Sequence, residues 1–345
     1  RSSDLENYKI MNNKKNKNEL LKIYIVASFL LGAAFIISIS IGRYPLSIEE
    51  ILDIIFRKEI GTMGENIFFT LRLPRTIMVL IAGLGLSMAG SVYQTIFKNP
   101  LATPDLIGVS SGANLGAAIA ISFFAGSRFS IAIFAFLGGI AAVFIALALT
   151  RISKDRGITT FVLAGIVIGS IAQGMIMLIK FFADPERQLA TIEFWSMGSF
   201  ADITRDKVIT TLPFFIIGII VLILFRWKIN ILSLSDEEGK SLGIKVDTVR
   251  IWVVIAATLV VASIVSVSGL ITFIGLIAPH IARMLVKRNN FNTIILSGLV
   301  GAIILLVADT LARSLAGSEI PISILTTFIG APFLAYLMGH LRQGD

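Results

Sequence analysis

An all-α integral membrane protein with about ten transmembrane helices is the fold class this sequence predicts, on three observations. From residue 20 to residue 338 the chain repeatedly runs apolar for ~20 residues, enough at ~1.5 Å per residue to cross a ~30 Å hydrocarbon layer. Hydrophobic residues make up 55% and charged residues 15% of the chain, a balance that excludes a soluble domain built on one core. The runs lack the apolar/polar alternation of barrel strands, so backbone groups that lipid cannot satisfy must pair within helices.

Taken in order, the spans fall near 20–42, 73–96, 104–124, 129–150, 158–182, 208–227, 250–269, 271–286, 291–313 and 320–340. The run 20–41 is too long for a signal peptide and lacks a small-residue cleavage site, so it reads as a retained span after a tail at 1–19. Met11 followed by Asn-Asn-Lys-Lys reads as a natural start, with 1–10 an added or upstream extension. Lys14, Lys15, Lys17 and Lys22 precede the first span, Arg151, Lys154 and Arg156 follow the fourth, Arg226 and Lys228 the sixth, and Lys287 and Arg288 the eighth. All these clusters fall on one side, which the positive-inside rule makes cytoplasmic, together with both termini and the tail 341–345.

On the outer side lie connections 43–72 and 183–207. The first contains Ser47-Ile48-Glu49-Glu50, a capping box opening the amphipathic stretch 51–56, and predicts a short surface helix. The second carries Trp195, as an interfacial anchor would. The longest cytoplasmic connection, 228–250, holds Ser235-Asp236-Glu237-Glu238-Gly239-Lys240-Ser241-Leu242-Gly243. There Ser235 can cap a short helix with Glu238 at its third position, and Gly243 can end it.

Within the spans, Gly83, Gly85 and Gly90, Gly108, Gly112 and Gly116, and Gly165 and Gly169 form stripes that let helix backbones approach, since lipid gives helices no hydrophobic drive to associate. Pro100 and Pro104 forbid a continuous helix between the second and third spans. Irregular backbone at membrane depth is tolerated where protein or a water-filled cavity covers it. Thr103, Ser110, Ser111, Gly112 and Asn114 are therefore candidates to line a translocation path. Gln94, Asn114 and Gln173 are candidates to bridge helices.

Catalytic chemistry finds no support. Cysteine is absent, which removes disulfides, thiolate metal sites and thiol nucleophiles. His280 and His340 have neither metal-ligand nor catalytic spacing, and His280 reads as a cap near a helix end. Gly239-Lys240-Ser241 is not a phosphate loop, because the required glycine five residues earlier is Leu234 and two acids would repel phosphate. The net charge of +8 sits at span ends, as topology signals rather than a nucleic-acid surface. An ion-coupled transporter or channel needs paired charges deep in the spans. Lys180 and Asp309 come closest, and both lie toward the outer side.

Four segments carry a family resemblance: Leu71-Arg72-Leu73-Pro74-Arg75; Asn99-Pro100-Leu101-Ala102-Thr103-Pro104-Asp105-Leu106-Ile107-Gly108-Val109-Ser110-Ser111-Gly112; Gly275-Leu276-Ile277-Ala278-Pro279-His280-Ile281-Ala282-Arg283; and Ala308-Asp309-Thr310-Leu311-Ala312-Arg313, with Glu319-Ile320-Pro321 and Gly330-Ala331-Pro332. In this order they resemble the FecCD-type permeases, membrane subunits of type II ABC importers for iron–siderophores, haem and cobalamin. The resemblance implies a dimer of ten-helix bundles in a bacterial cytoplasmic membrane, made with a second copy or a paralogue. A substrate-binding protein docks outside, and separate ATPase subunits using ATP and Mg dock inside. No cofactor is expected on this chain.

The family's docking arginines fall on Arg72, Arg75 and Arg313, expected to pair with carboxylates of the binding protein; Arg72 and Arg75, flanking Pro74 at a helix start, are expected to point outward. Asp309, four residues before Arg313, would orient it. The coupling segment falls on Ser235 to Gly243, with Pro279 to Arg283 bordering the same contact. Iron–siderophore is the first substrate expected, then haem and cobalamin.

Overall fold

The computed structural model describes residues 2–42, 44, 46–56, 63–124, 126–153, 157–315 and 317–341, with side chains from 18 to 337. Lys154 and Arg156, the stretch 57–62 of the outer connection, residues 342–345, and the side chains of Lys14, Lys15, Lys17 and His340 lie outside them.

Among the described residues all regular structure is helical: α1 (Ser2–Ser40), α2 (Ile48–Ile55), α3 (Met63–Ile67), α4 (Leu73–Ile96), α5 (Val109–Phe123), α6 (Arg128–Ile152), α7 (Ile158–Phe182), α8 (Ala190–Ser196), α9 (Arg205–Leu224), α10 (Arg226–Leu232), α11 (Asp236–Ser241), α12 (Val246–Ser268), α13 (Ile274–Val286), α14 (Phe291–Ser314) and α15 (Ile322–Leu341). Among the described residues seven helices are long and apolar enough to cross a membrane, and three shorter apolar ones, Val109–Phe123, Ile274–Val286 and Ile322–Leu337, stand where the remaining expected spans lie.

Two of those spans are shorter than hydropathy suggests. The 15 residues of α5 and 13 of α13 reach only about 20 Å at ~1.5 Å per residue. A 3-10 turn at Pro104–Ile107 and Gly108 at φ 82° precede α5, and a non-helical stretch with Gly269 at φ 71° and Phe273 at φ 67° precedes α13. Hydropathy registers the apolar side chains of these leads but not their break in helix geometry. Pro104, Ile107 and Gly108 before α5 and Gly269 before α13 are buried in the bundle, as unpaired backbone at depth demands. Gly330 makes room for Phe273, since a Cβ there would lie 2.6 Å from the ring's Cγ.

The second span begins earlier than expected. α3 runs into α4 through a π turn, Phe68–Arg72, in which the Leu73 amide donates to the Phe68 carbonyl. Pro74 has no amide to continue an α ladder, and the wide turn absorbs that loss.

Inside the bundle α4 is central, with 83% of its apolar window buried against 11% for α1. The glycine stripes explain the close packing. A Cβ on Gly83 would lie 2.5 Å from Ala302 Cα of α14, and one on Gly85 2.6 Å from Ile264 of α12. Gly90 meets the Gly275 backbone of α13, and Gly116 the Phe134 carbonyl of α6. Gln94 bridges α4 to the Gly275 and Leu276 carbonyls of α13 at 3.4 Å. Gln173 is exposed, and His280 sits inside α13 against the edge of Phe333 rather than capping a helix end. On the side expected to be outer, α2 carries its capping box, with Ile51 and Ile54 inward. Trp195 is half-buried against the main core. Lys180 pairs with Glu193 at 2.7 Å.

Candidate functional site

The face of the bundle expected to lie outside is organised by three arginines, and the structure turns them inward. The expectation that Arg72 and Arg75 point out of the membrane is corrected: Arg72 is 5% exposed and the Arg75 side chain 12%, and Arg313, at 8%, is buried beside them. Arg72 leaves the π turn aimed at the end of α1. Its Nη1 donates to the Ile39 carbonyl at 2.8 Å and the Ser40 carbonyl at 2.6 Å, and its Nη2 to the Tyr44 carbonyl. A helix end leaves its last carbonyls unpaired and partially negative, so a guanidinium satisfies both needs.

Arg75 donates to both carboxylates in reach, with Nη2 2.7 Å from Asp309 Oδ1 and 2.7 Å from Glu319 Oε1. Arg313 Nη2 donates to the Ser38 carbonyl and to its Oγ at 2.8 Å. The Asp309–Arg313 pair exists, but at 3.4 Å it is a charge contact, and the main partner of Asp309 is Arg75 across the α4–α14 interface. A carboxylate with 0% exposure needs such pairing to avoid a large desolvation penalty.

Glu319 is the member that sequence reasoning missed as a partner. Besides Arg75 it accepts from Ser199 Oγ at 3.3 Å, tying the loop after α14 to the turn after α8. No sequence spacing signals a contact so remote in the chain. Above this network opens a depression of about 510 Å³ lined by Tyr44, Leu71, Arg72, Arg75, Arg313 and Glu319.

On the opposite face α11 forms as its capping box predicts: Ser235 Oγ accepts from the Glu238 amide at 3.2 Å, and Glu238 Oε2 from the Ser235 amide at 2.8 Å. Gly243 at φ 78° ends the segment. Gly239 faces the bundle, where a Cβ would lie 2.9 Å from Val246. Asp236 anchors the helix, accepting from Lys98 Nζ at 2.8 Å and from Arg250 Nη2 at 2.8 and 2.9 Å. Partial burial raises the Asp236 carboxyl, but hydrogen bonds and charge from Lys98 and Arg250 outweigh that and hold it below the usual carboxylate range. The Arg250 side chain is 1% exposed and also meets Asp247 at 3.2 Å. Facing outward are Leu234, 41% exposed, and Leu242, 55% exposed, with Glu237, Glu238, Lys240 and Ser241. The outer surface of α11 is thus free while its base is fixed.

The two faces share α4. Arg75 lies in its first turn and Lys98 just past its end, so one helix of about 36 Å runs from the outer network to the anchor of α11. Between α4 and α5, the candidate path residues separate. Gly112 is not on an open surface: it is buried where α5 crosses α6, and a Cβ there would lie 2.5 Å from that of Ala142. Thr103, Ser110, Ser111 and Asn114 remain partly accessible, Ser111 Oγ facing Gly169 of α7. Asn114 Oδ1 is buried with no hydrogen-bond partner among the described residues.

Comparison with known proteins agrees with this architecture. The FecCD transport family model matches residues 30–340. The chain is 36% identical over 327 residues to the molybdate import system permease protein MolB of Haemophilus influenzae, covering 94% of this chain and 97% of that one. It is 35% identical to the Fe(3+)-citrate import system permease protein YfmE of Bacillus subtilis, covering 94% and 96%. Among solved structures, an inward-facing metal-chelate type ABC transporter superposes with a TM-score of 0.84 at 35% identity, over 92% of this chain and 99% of that one. PsaBC from Streptococcus pneumoniae shares the fold alone, with a TM-score of 0.56 at 15% identity over 83% of this chain and 94% of that one. With a family match spanning nearly all ten expected spans and a helical bundle that superposes on a solved relative, this chain belongs to the FecCD transport family, as a multi-pass membrane permease of the ABC-importer type.

Proposed function

We propose that this chain forms, with a second copy or a paralogue, the membrane core of an importer that carries an iron chelate of the siderophore or citrate type inward. ATPase subunits bearing on α11 hydrolyse ATP with Mg on their own chains, and a substrate-binding protein delivers cargo to the outer depression. Both termini lie on the cytoplasmic side in this reading, which rests on the positions of the Lys/Arg clusters. Thr103, Ser110, Ser111 and Asn114 border the path.

The observation that carries the reading is the design of α11: its base is tied to the bundle through Asp236, Arg250 and Lys98, while two leucines and Glu237 face outward. A helix so anchored transmits a push, and its exposed leucines offer an anchor for a partner's cleft. The YfmE relative, named for ferric citrate, supports an iron chelate as cargo. The MolB relative, named for molybdate, favours a second reading in which cargo is an oxyanion. Uptake by cells carrying this chain with its ATPase and binding protein, measured with radioactive iron as citrate or hydroxamate complex against molybdate, separates the two. Accumulation of molybdate alone would overturn the iron reading, and accumulation of neither would overturn both.

A further inference from the structure

A second pocket adjoins the arginine depression, with Ser199, which donates to Glu319, between the two. It encloses about 270 Å³ between the start of α6, α8 with the turn after it, the first turn of α9 and the end of α12. Trp195 and Phe194 give it aromatic surface, Arg128 and Lys207 are its cations, and Asp202 is the single acid among its described lining residues. Arg128 pairs with Asp202 at 3.3 Å, but their side chains are 69% and 63% exposed, and so open a pair contributes little. Lys207 is half-buried and has no ion-pair partner among the described residues; burial works against its charge more strongly than Asp202 favours it, and Arg128 adds repulsion. One positive charge is left over, in a recess where low-dielectric walls strengthen its field.

We propose that this pocket binds an anionic oxygen group, a carboxylate or a tetrahedral oxyanion, between Arg128 and Lys207, displacing Asp202 from its loose pair. A volume of about 270 Å³ falls just below the ~300–1,000 Å³ of drug-sized ligand pockets. It suits an anion of the size of citrate or molybdate, or the phosphate of a lipid headgroup, and excludes a whole siderophore. The inference does not depend on the transport reading, because anion binding is measurable without ATP or partner chains.

The test uses the full chain in nanodiscs of neutral phosphatidylcholine. Trp195 lines the pocket, whereas Trp227 and Trp252 flank the cytoplasmic segment, so Trp227→Phe with Trp252→Phe leaves a single fluorescent reporter. Citrate and molybdate are titrated, and phosphatidylglycerol is introduced in a parallel series. Isothermal titration calorimetry on the unmodified chain covers the case in which the tryptophan variant fails to fold.

A saturable response is expected, at least tenfold weaker in Lys207→Gln and in Arg128→Gln, and several-fold tighter in Asp202→Asn, which removes the competing carboxylate. Saturation by citrate or molybdate assigns a soluble anion, and saturation by phosphatidylglycerol alone assigns a lipid phosphate. The proposal is overturned if none of the three saturates, or if Lys207→Gln leaves the affinity unchanged.

Discussion

Asp309→Asn tests whether the buried ion network holds the outer face together. The carboxylate has 0% exposure, and Arg75 reaches it through contacts of 2.7, 3.1 and 3.2 Å. Removing one partner of a fully buried pair costs about 3–5 kcal/mol, because the other charge is left uncompensated. Here Arg75 keeps Glu319 at 2.7 Å and the amide still offers one acceptor, which reduces the expected cost to about 2–3 kcal/mol. At ~1.4 kcal/mol per tenfold, local opening becomes roughly 30- to 150-fold more frequent. Hydrogen exchange followed by mass spectrometry reads this at the Ile320 amide, which donates to the Ala312 carbonyl at 3.1 Å, and along the end of α14. The double replacement Arg75→Met with Asp309→Leu does not recover the loss, since it leaves Glu319 without its arginine and the buried Arg313 without its nearby carboxylate. Exchange in Asp309→Asn within twofold of the parent would refute the reasoning.

The other predictions concern the inner face and the path. Glu237→Arg reverses an exposed charge outside the capping box, so it lowers ATPase co-purification and uptake while melting is unchanged; Glu238 is the poorer probe because it also caps α11. Asp236→Asn loosens α11 by about 1–2 kcal/mol, discounted because the side chain is partly solvated, and raises exchange in 236–243. The depressed Asp236 carboxyl contributes stability above the unfolded value of ~3.9 and loses it as pH falls through the folded value. Docking of α11, followed by the same exchange experiment, is therefore flat from about pH 5 to 8 and fails only below about pH 4. Gly112→Leu wedges α5 from α6 and cuts folded yield by overpacking rather than blocking a path. In the cysteine-free background, Thr103→Cys, Ser110→Cys, Ser111→Cys and Asn114→Cys are tested with a water-soluble thiol reagent, and labelling changes between ATP-free and ATP-trapped complexes; silence at all four in both states removes this segment from the path.

The features legible in the sequence are those encoded locally. The capping boxes at Ser47 and Ser235, the stop at Gly243 and the span 158–182 need only neighbouring residues, and each appears where local chemistry places it. Hydropathy found the positions of α5 and α13 but overstated their length, since it does not register the left-handed turns at Gly108 and Phe273. The orientation of the arginines was hidden for another reason. Arg72 meets carbonyls of α1 and Arg75 meets Asp309 and Glu319, partners that tertiary packing brings together and no spacing rule foretells. Nothing local separates Asp236 from the neighbouring acids Glu237 and Glu238, yet Arg250, buried behind it, and Lys98, from the end of α4, make it the anchor.

The most direct measurement of the account is cargo accumulation in proteoliposomes that hold this chain with its ATPase, with binding protein added to the face bearing the Arg72–Arg75–Arg313 depression. ATP-driven accumulation of a ferric chelate, lost when ATP is omitted and lost in Glu237→Arg, is the result predicted. Accumulation driven by an ion gradient without ATP, or undiminished in Glu237→Arg, would contradict it.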